Sequence, residues 1–177
     1  MTRFDLQPED CPPYYRPYID LLGEEELTVL LERQMGNFPE FIRSIPEDLW
    51  HYRYAEGKWT VSEVLVHVLD TERVFQYRAL RFGRHDATPL PGFDQDAYVP
   101  MSLAMERTPD DLVEEYLAIR KSTLLLFRSM PEERMFWKGT ASGNPMSLGA
   151  LGFILCGHQK HHRNILRERY LGRQGKG

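Results

Sequence analysis

Cysteine is nearly absent from this chain. Its 177 residues hold two, Cys11 and Cys156. That is too few for the disulfide framework of a small secreted domain, and no C-x-x-C pair offers thiol redox chemistry or a zinc ribbon. An excess of one charge is missing as well. Lys and Arg number 22 against 26 Asp and Glu, scattered along the chain, which leaves no basic patch for nucleic acid. The longest apolar segment, Gly149 to Gly157, falls far short of the roughly 20 residues that cross a bilayer. Met1 to Pro13 lacks the charged start and apolar stretch of a secretory leader. The expectation is a cytoplasmic protein with neither a nucleic-acid nor a membrane partner. Also missing are H-E-x-x-H, G-x-S-x-G, a phosphate-binding glycine loop and a dinucleotide fingerprint, which argues against the common protease, esterase, kinase and dehydrogenase chemistries.

What the chain does have is helical periodicity. A hydrophobic content of 42% over this length fits one domain spanning residues 1–177. Strand alternation is not evident, and the expected fold class is all-α, a four-helix bundle. A Pro-rich lead over 1–17, with Cys11 assigned no chemistry, should be extended and lie over the body. The first helix is expected from Ile19 to Met35, with Glu24, Glu25 and Glu26 in its early turns and a stop at Gly36-Asn37; a short turn is expected at Phe41 to Ser44. The second has the clearest start: Thr60 caps, Glu63 completes a capping box, Trp59 and Val64 can form a staple, and Gly83 stops it after Phe82. The third opens at Thr108-Pro109 and ends near Met130-Pro131. The fourth is capped by Ser147 and stops at Gly172, before a short frayed tail at 173–177. The long connection from Arg84 to Arg107 is expected to cover the interior or cross between bundle ends, and long loops in compact domains are often functional.

Histidine is the informative residue. With about 100° of rotation per helical residue, Leu151, Leu155, His158, His162 and Arg169 fall within roughly 40° of one line, whereas His161 lies about 80° away and Cys156 about 140° away. Cys156 is therefore expected to pack. An i, i+4 pair brings two imidazoles within reach of one ion. Of the histidines outside this helix, His51 and His85 sit near loops, while His67 lies inside the second helix, on the shoulder of a stripe of Val61, Val64, Val68 and Phe75. His67 is the natural third ligand, and Glu63, Asp70 and Thr71 share its face as orienting groups or further ligands. Three protein ligands leave coordination open, as in catalytic rather than structural zinc sites.

Alternatives attend each residue. A lone histidine on a half-buried helix is usually a hydrogen-bonded core residue, and positive charge near a helix C-terminus accounts for His161. Two inward histidines fit that account poorly, because buried imidazoles need partners. Asp94 and Asp96 read as turn chemistry after Gly92, Arg120 as a solvated arginine with a buried stem, and Trp50, Trp59 and Trp137 as packing anchors.

Three segments together resemble the DinB-like superfamily, which includes bacterial thiol S-transferases. They are Lys58-Trp59-Thr60-Val61-Ser62-Glu63-Val64-Leu65-Val66-His67, Pro91-Gly92-Phe93-Asp94-Gln95-Asp96 and Gly157-His158-Gln159-Lys160-His161-His162. The resemblance implies up-down-down-up connectivity with the long loop as crossover. It also implies a divalent metal, zinc or nickel, on His67, His158 and His162, and a homodimer. The resulting expectation is a metal-dependent hydrolase or thiol S-transferase acting on a small molecule or a low-molecular-weight thiol; the alternative is a non-catalytic, metal-stabilised dimeric stress-response protein. By the same resemblance Arg120 can face the site.

Overall fold

The computed structural model describes residues 1–172, so the tail expected to fray lies outside the described residues. Helix α1 (Arg16–Asp20) follows three short 3-10 turns; α2 spans Leu27–Arg43, α3 Val61–Gly83, α4 Gln95–Tyr98 and α5 Pro109–Arg128. Strands β1 (Lys138–Ala141) and β2 (Asn144–Ser147) precede α6 (Leu148–Ile165), whose last turns widen into a π-helix over Leu166–Leu171. No helix among the described residues is long and apolar enough to cross a membrane.

Side-chain partners fix the helix directions. Antiparallel packing of α2 on α5 shows in Arg43 with Asp110 and Arg128 with Glu32. Parallel packing of α3 on α5 shows in Arg73 with Glu115 and Gln76 with Thr123. The α3–α6 pair is antiparallel, since Trp59 meets Tyr170 while His67 meets His158. The α2–α6 pair is parallel, with Gln34 on the Cys156 carbonyl and Asn37 on Arg163. The four long helices therefore run up-down-down-up, and the connection after α3 returns the chain to the end where α3 began.

Three expectations need correction. The first long helix starts eight residues later than Ile19 and ends eight after Met35: Glu26 is its extended N-cap, and it runs through Gly36, Asn37 and Pro39 to Arg43. Phe38, Phe41 and Ile42 continue the buried face of Leu27, Leu30 and Leu31, and burial of that stripe outweighs the local stop signals. The turn expected at Phe41 to Ser44 is simply the end of α2. Second, the lead is not wholly extended. Pro17 occupies the first turn of α1, where a missing N–H costs nothing. Third, where no strand alternation is evident in the sequence, a short hairpin precedes α6. Its strands pair antiparallel from Lys138↔Ser147 to Ala141↔Asn144, around Ser142 and Gly143 with φ of 51° and 74°, the left-handed pair of a two-residue hairpin turn. Leu90 of the crossover bonds to both sides of its tip, donating to the Thr140 carbonyl (2.9 Å) and accepting from the Ser142 amide (3.0 Å).

The start of α3 is as read: Thr60 accepts from the Glu63 amide, while the Glu63 carboxylate accepts from the Thr60 amide at 2.6 Å. Thr108 and Ser147 cap α5 and α6. Two apolar clusters fill the bundle, one around Leu30, Phe82, Phe127 and Phe153, the other around Phe38, Leu65, Leu112 and Tyr116.

Candidate metal centre

Residues of α3 and α6 that face each other across the bundle set the site. His67 Nε2 and His162 Nε2 each lie 3.1 Å from His158 Nε2, and all three ligand atoms fall within 4.8 Å of one another. His67 is 3% exposed and His158 8%, with His162 half-buried. Burial lowers the His67 pKa to about 4. It also holds His158 and His162 well below the ordinary value, reinforced by the neighbouring imidazoles. All three rings are neutral at pH 7.

Protons alone satisfy this arrangement badly. A neutral imidazole nitrogen carries either one N–H or one in-plane lone pair, so His158 Nε2 cannot serve both 3.1 Å contacts as good hydrogen bonds. A cation accepts all three lone pairs. Bonds of about 2.0 to 2.1 Å to a shared ion put nitrogens roughly 3.0 to 3.4 Å apart, which the two 3.1 Å contacts match.

Surrounding groups hold the rings in place. Trp59 lies against His67, centroids 4.9 Å apart, and the Trp59 carbonyl accepts from the Tyr170 hydroxyl at 2.8 Å, tying the entry of α3 to the end of α6. Trp59 is thus part of the site's wall, beyond the packing role expected of it. Tyr18 meets His158 and His161 edge-on, at 5.5 and 5.1 Å. Its segment approaches α6 so closely that a Cβ on Gly157 falls 2.2 Å from the Tyr18 carbonyl oxygen.

The partners expected from the face of α3 separate. Glu63 is used in the capping box, and half-buried Asp70 sits 3.9 Å from Arg73; neither joins the histidines. Thr71 is buried, and its hydroxyl has no hydrogen-bond partner among the described residues. It lines a cavity of about 200 Å³ together with His158, Tyr18, Phe75, Phe93 and Ser142. His162 lines a second cavity, of about 250 Å³, together with Lys58, Trp59, Asp96 and Tyr170. Asp94 does cap a turn, accepting from the Asp96 and Ala97 amides, whereas Asp96 reaches the second cavity, which the turn reading did not foresee. Cys156 is buried and Cys11 joins the core, with burial raising their thiols to about 12 and about 11. His85 stacks on Trp137 away from the cluster, centroids 5.5 Å apart.

Arg120 is the main correction. It is 0% exposed rather than solvated, and donates to Glu72 (2.8 Å), Gln34 (2.6 Å) and Gln159 (2.7 Å); Tyr116 donates to Gln159 at 2.9 Å. Burial pulls the guanidinium's pKa down, but the Glu72 charge and hydrogen bond, together with Tyr116 and Cys156, more than reverse this. This network binds all four long helices beside the histidines. Its members are spread over four helices, and only Glu and Gln at otherwise apolar positions hint at it.

Four helices in this order, with three histidines converging from the second and last, define a class of bundle built to gather imidazoles at its centre. Residues 30–166 match the DinB superfamily, and the chain belongs to that superfamily. The fold is similar to that of YfiT from Bacillus subtilis, described as "a probable metal-dependent hydrolase with an unusual four-helix bundle topology". The TM-score is 0.74 at 14% identity, over 94% of this chain and 93% of the other. No curated protein matches the sequence.

Proposed function

We propose that His67, His158 and His162 bind a divalent metal ion, zinc or nickel, and that the chain is a metal-dependent hydrolase or thiol S-transferase for a small molecule. The observation that carries this reading is the convergence of three neutral Nε2 atoms which proton sharing cannot satisfy. YfiT's description points the same way. Three imidazoles with no fourth protein donor among the described residues leave room for water or substrate. When bound, such an ion supplies the Lewis acidity that makes water or a thiol nucleophilic near neutral pH.

The chain's own residues do the rest. Burial keeps the imidazoles unprotonated and available as donors. Trp59 and Tyr18 pack against them and exclude bulk water. The Thr71 hydroxyl, beside His158 and without a partner among the described residues, is placed to hydrogen-bond a substrate polar atom. A second reading is a non-catalytic dimer in which the ion only clamps α3 to α6, and the burial of His67 and His158 favours it.

Elemental analysis of the untagged protein beside a His158→Ala/His162→Ala variant tests metal binding, with circular dichroism confirming that both are folded. Near-stoichiometric metal in the wild type and its loss in the variant are expected; a folded wild type that takes no metal on reconstitution overturns the proposal. Cobalt substitution separates the two readings. A spectrum shifted by azide or a thiol marks an open site, and an unchanged spectrum, with metal removal mainly lowering the melting temperature and breaking a dimer, marks the clamp.

A further inference from the structure

We propose that Ser142, braced by Arg78, anchors an anionic group of the substrate, so that the substrate class is a small carboxylate whose apolar body lies between the anchor and His158. The inference rests on the preceding reading that the cavity at His158 receives substrate.

Arg78 is 1% exposed and among the largest fully buried side chains. A charge so placed is normally paired. Here Nη2 donates to the Ser142 hydroxyl (2.8 Å) and to the Pro91 carbonyl (2.9 Å), while Nη1 is buried without a partner among the described residues. Desolvation lowers its pKa and the Tyr15 hydroxyl partly restores it; among the described residues no carboxylate contributes. The guanidinium therefore brings an uncompensated positive charge to the wall between the cavity at His158 and an adjoining one of about 350 Å³ lined by Arg78, Pro91 and Phe93.

Ser142 transmits that charge. Its oxygen accepts from Arg78, which leaves its own O–H free to donate, and a hydroxyl polarised by a guanidinium is a stronger donor. The residue lines the cavity that His158 and Thr71 line. It also holds a left-handed backbone at φ 51°, a conformation where serine is uncommon and glycine costs less. Serine there suggests that the hydroxyl, rather than the turn, is the reason for the residue. The same cavity is lined by the aromatic rings of Tyr15, Tyr18, Phe75 and Phe93, which offer contact area to an apolar body, and by the polar groups of Thr71 and Gln95, which can orient it.

The test compares phenylacetate with uncharged phenylacetamide, titrated calorimetrically at pH 8 into the metal-free protein, so that neither a metal nor a protonated histidine attracts the acid. Charge-assisted hydrogen bonds are worth about 1.5 to 3 kcal/mol, so the acid should bind at least about tenfold more tightly than the amide. In Ser142→Gly, which suits the backbone, the preference should fall to within about threefold while the amide's affinity holds. Equal binding of the two probes by the wild type, binding of neither, or a preference that survives Ser142→Gly each overturns the proposal. Metal content, measured separately, keeps the two proposals apart: a protein that prefers the acid but takes no metal keeps the anchor and loses the metal centre, and the reverse result does the opposite.

Discussion

Glu72→Gln removes one charge from the bundle's interior and keeps the side chain's shape. Glu72 is 2% exposed and Arg120 0%, with Arg120 Nη2 2.8 Å from one carboxylate oxygen and Nε 2.8 Å from the other, the latter at poor hydrogen-bonding geometry. Water cannot replace the lost carboxylate. The remaining partners, Gln34 and Gln159, offer only neutral oxygens, so the guanidinium stays buried and unpaired. Breaking such a pair costs about 3 to 5 kcal/mol. At about 2 to 4 °C per kcal/mol for a chain of this size, the melting temperature should fall by roughly 6 to 20 °C. Because desolvation of both ions offsets much of their attraction, Glu72→Gln/Arg120→Met should recover most of the loss. Urea titration of the wild type, both single variants and the double variant closes the cycle. A cost below about 1 kcal/mol for Glu72→Gln, or a double variant as unstable as the sum of the singles, refutes the view that the pair is a buried, mutually dependent unit.

Gly157→Ala puts a Cβ 2.2 Å from a backbone oxygen, that of Tyr18, and should lose about 1 to 3 kcal/mol as α1 shifts from α6; unchanged stability in urea contradicts that close approach. Thr60→Ala removes the hydroxyl that accepts from Glu63 at the start of α3 and should cost about 1 to 2 kcal/mol, measured the same way. Acid should destabilise the metal-free protein. His67 titrates near 4 when folded and near 6.5 when unfolded, so the unfolded chain binds the extra proton between these values and stability falls as pH drops below about 6.5. His67 alone accounts for about 3 kcal/mol once pH passes below 4; His158 and His162 act in the same direction. Urea midpoints that stay level from pH 7 to 5 oppose this.

The sequence made the cluster legible because its geometry is local: His158 and His162 are fixed relative to each other by one helix, and Thr60 with Glu63 sets the phase that turns His67 inward. The limits of α2 were not legible. Gly36, Asn37 and Pro39 each speak locally for an end, and only the partners of Phe38 and Ile42 across the bundle outvote them. Arg120 was misread for the related reason that a solvated and a paired arginine look alike on one helix. Its acceptors lie 86, 48 and 39 residues away in the chain. The hairpin escaped notice because its strands are four residues long and include Pro145, though Ser142-Gly143 is a recognised turn pair.

The two polar layers in this bundle differ in a way that bears on their roles. The layer around Arg120 is sealed from solvent, and apart from Arg120 Nε and Gln159 Nε2, which are buried without a hydrogen-bond partner among the described residues, its donors meet acceptors; it fixes how four helices meet. In the histidine layer three nitrogens face one another without enough protons to satisfy them, Thr71 has no partner among the described residues, and two cavities adjoin it. Unsatisfied groups beside open volume are costly to folding, and that cost is intelligible where something else binds. The rigid layer is what allows it: Gln159 follows His158 directly and Glu72 lies five residues beyond His67 on α3, so the network that holds Arg120 also holds the two backbones from which the histidines converge.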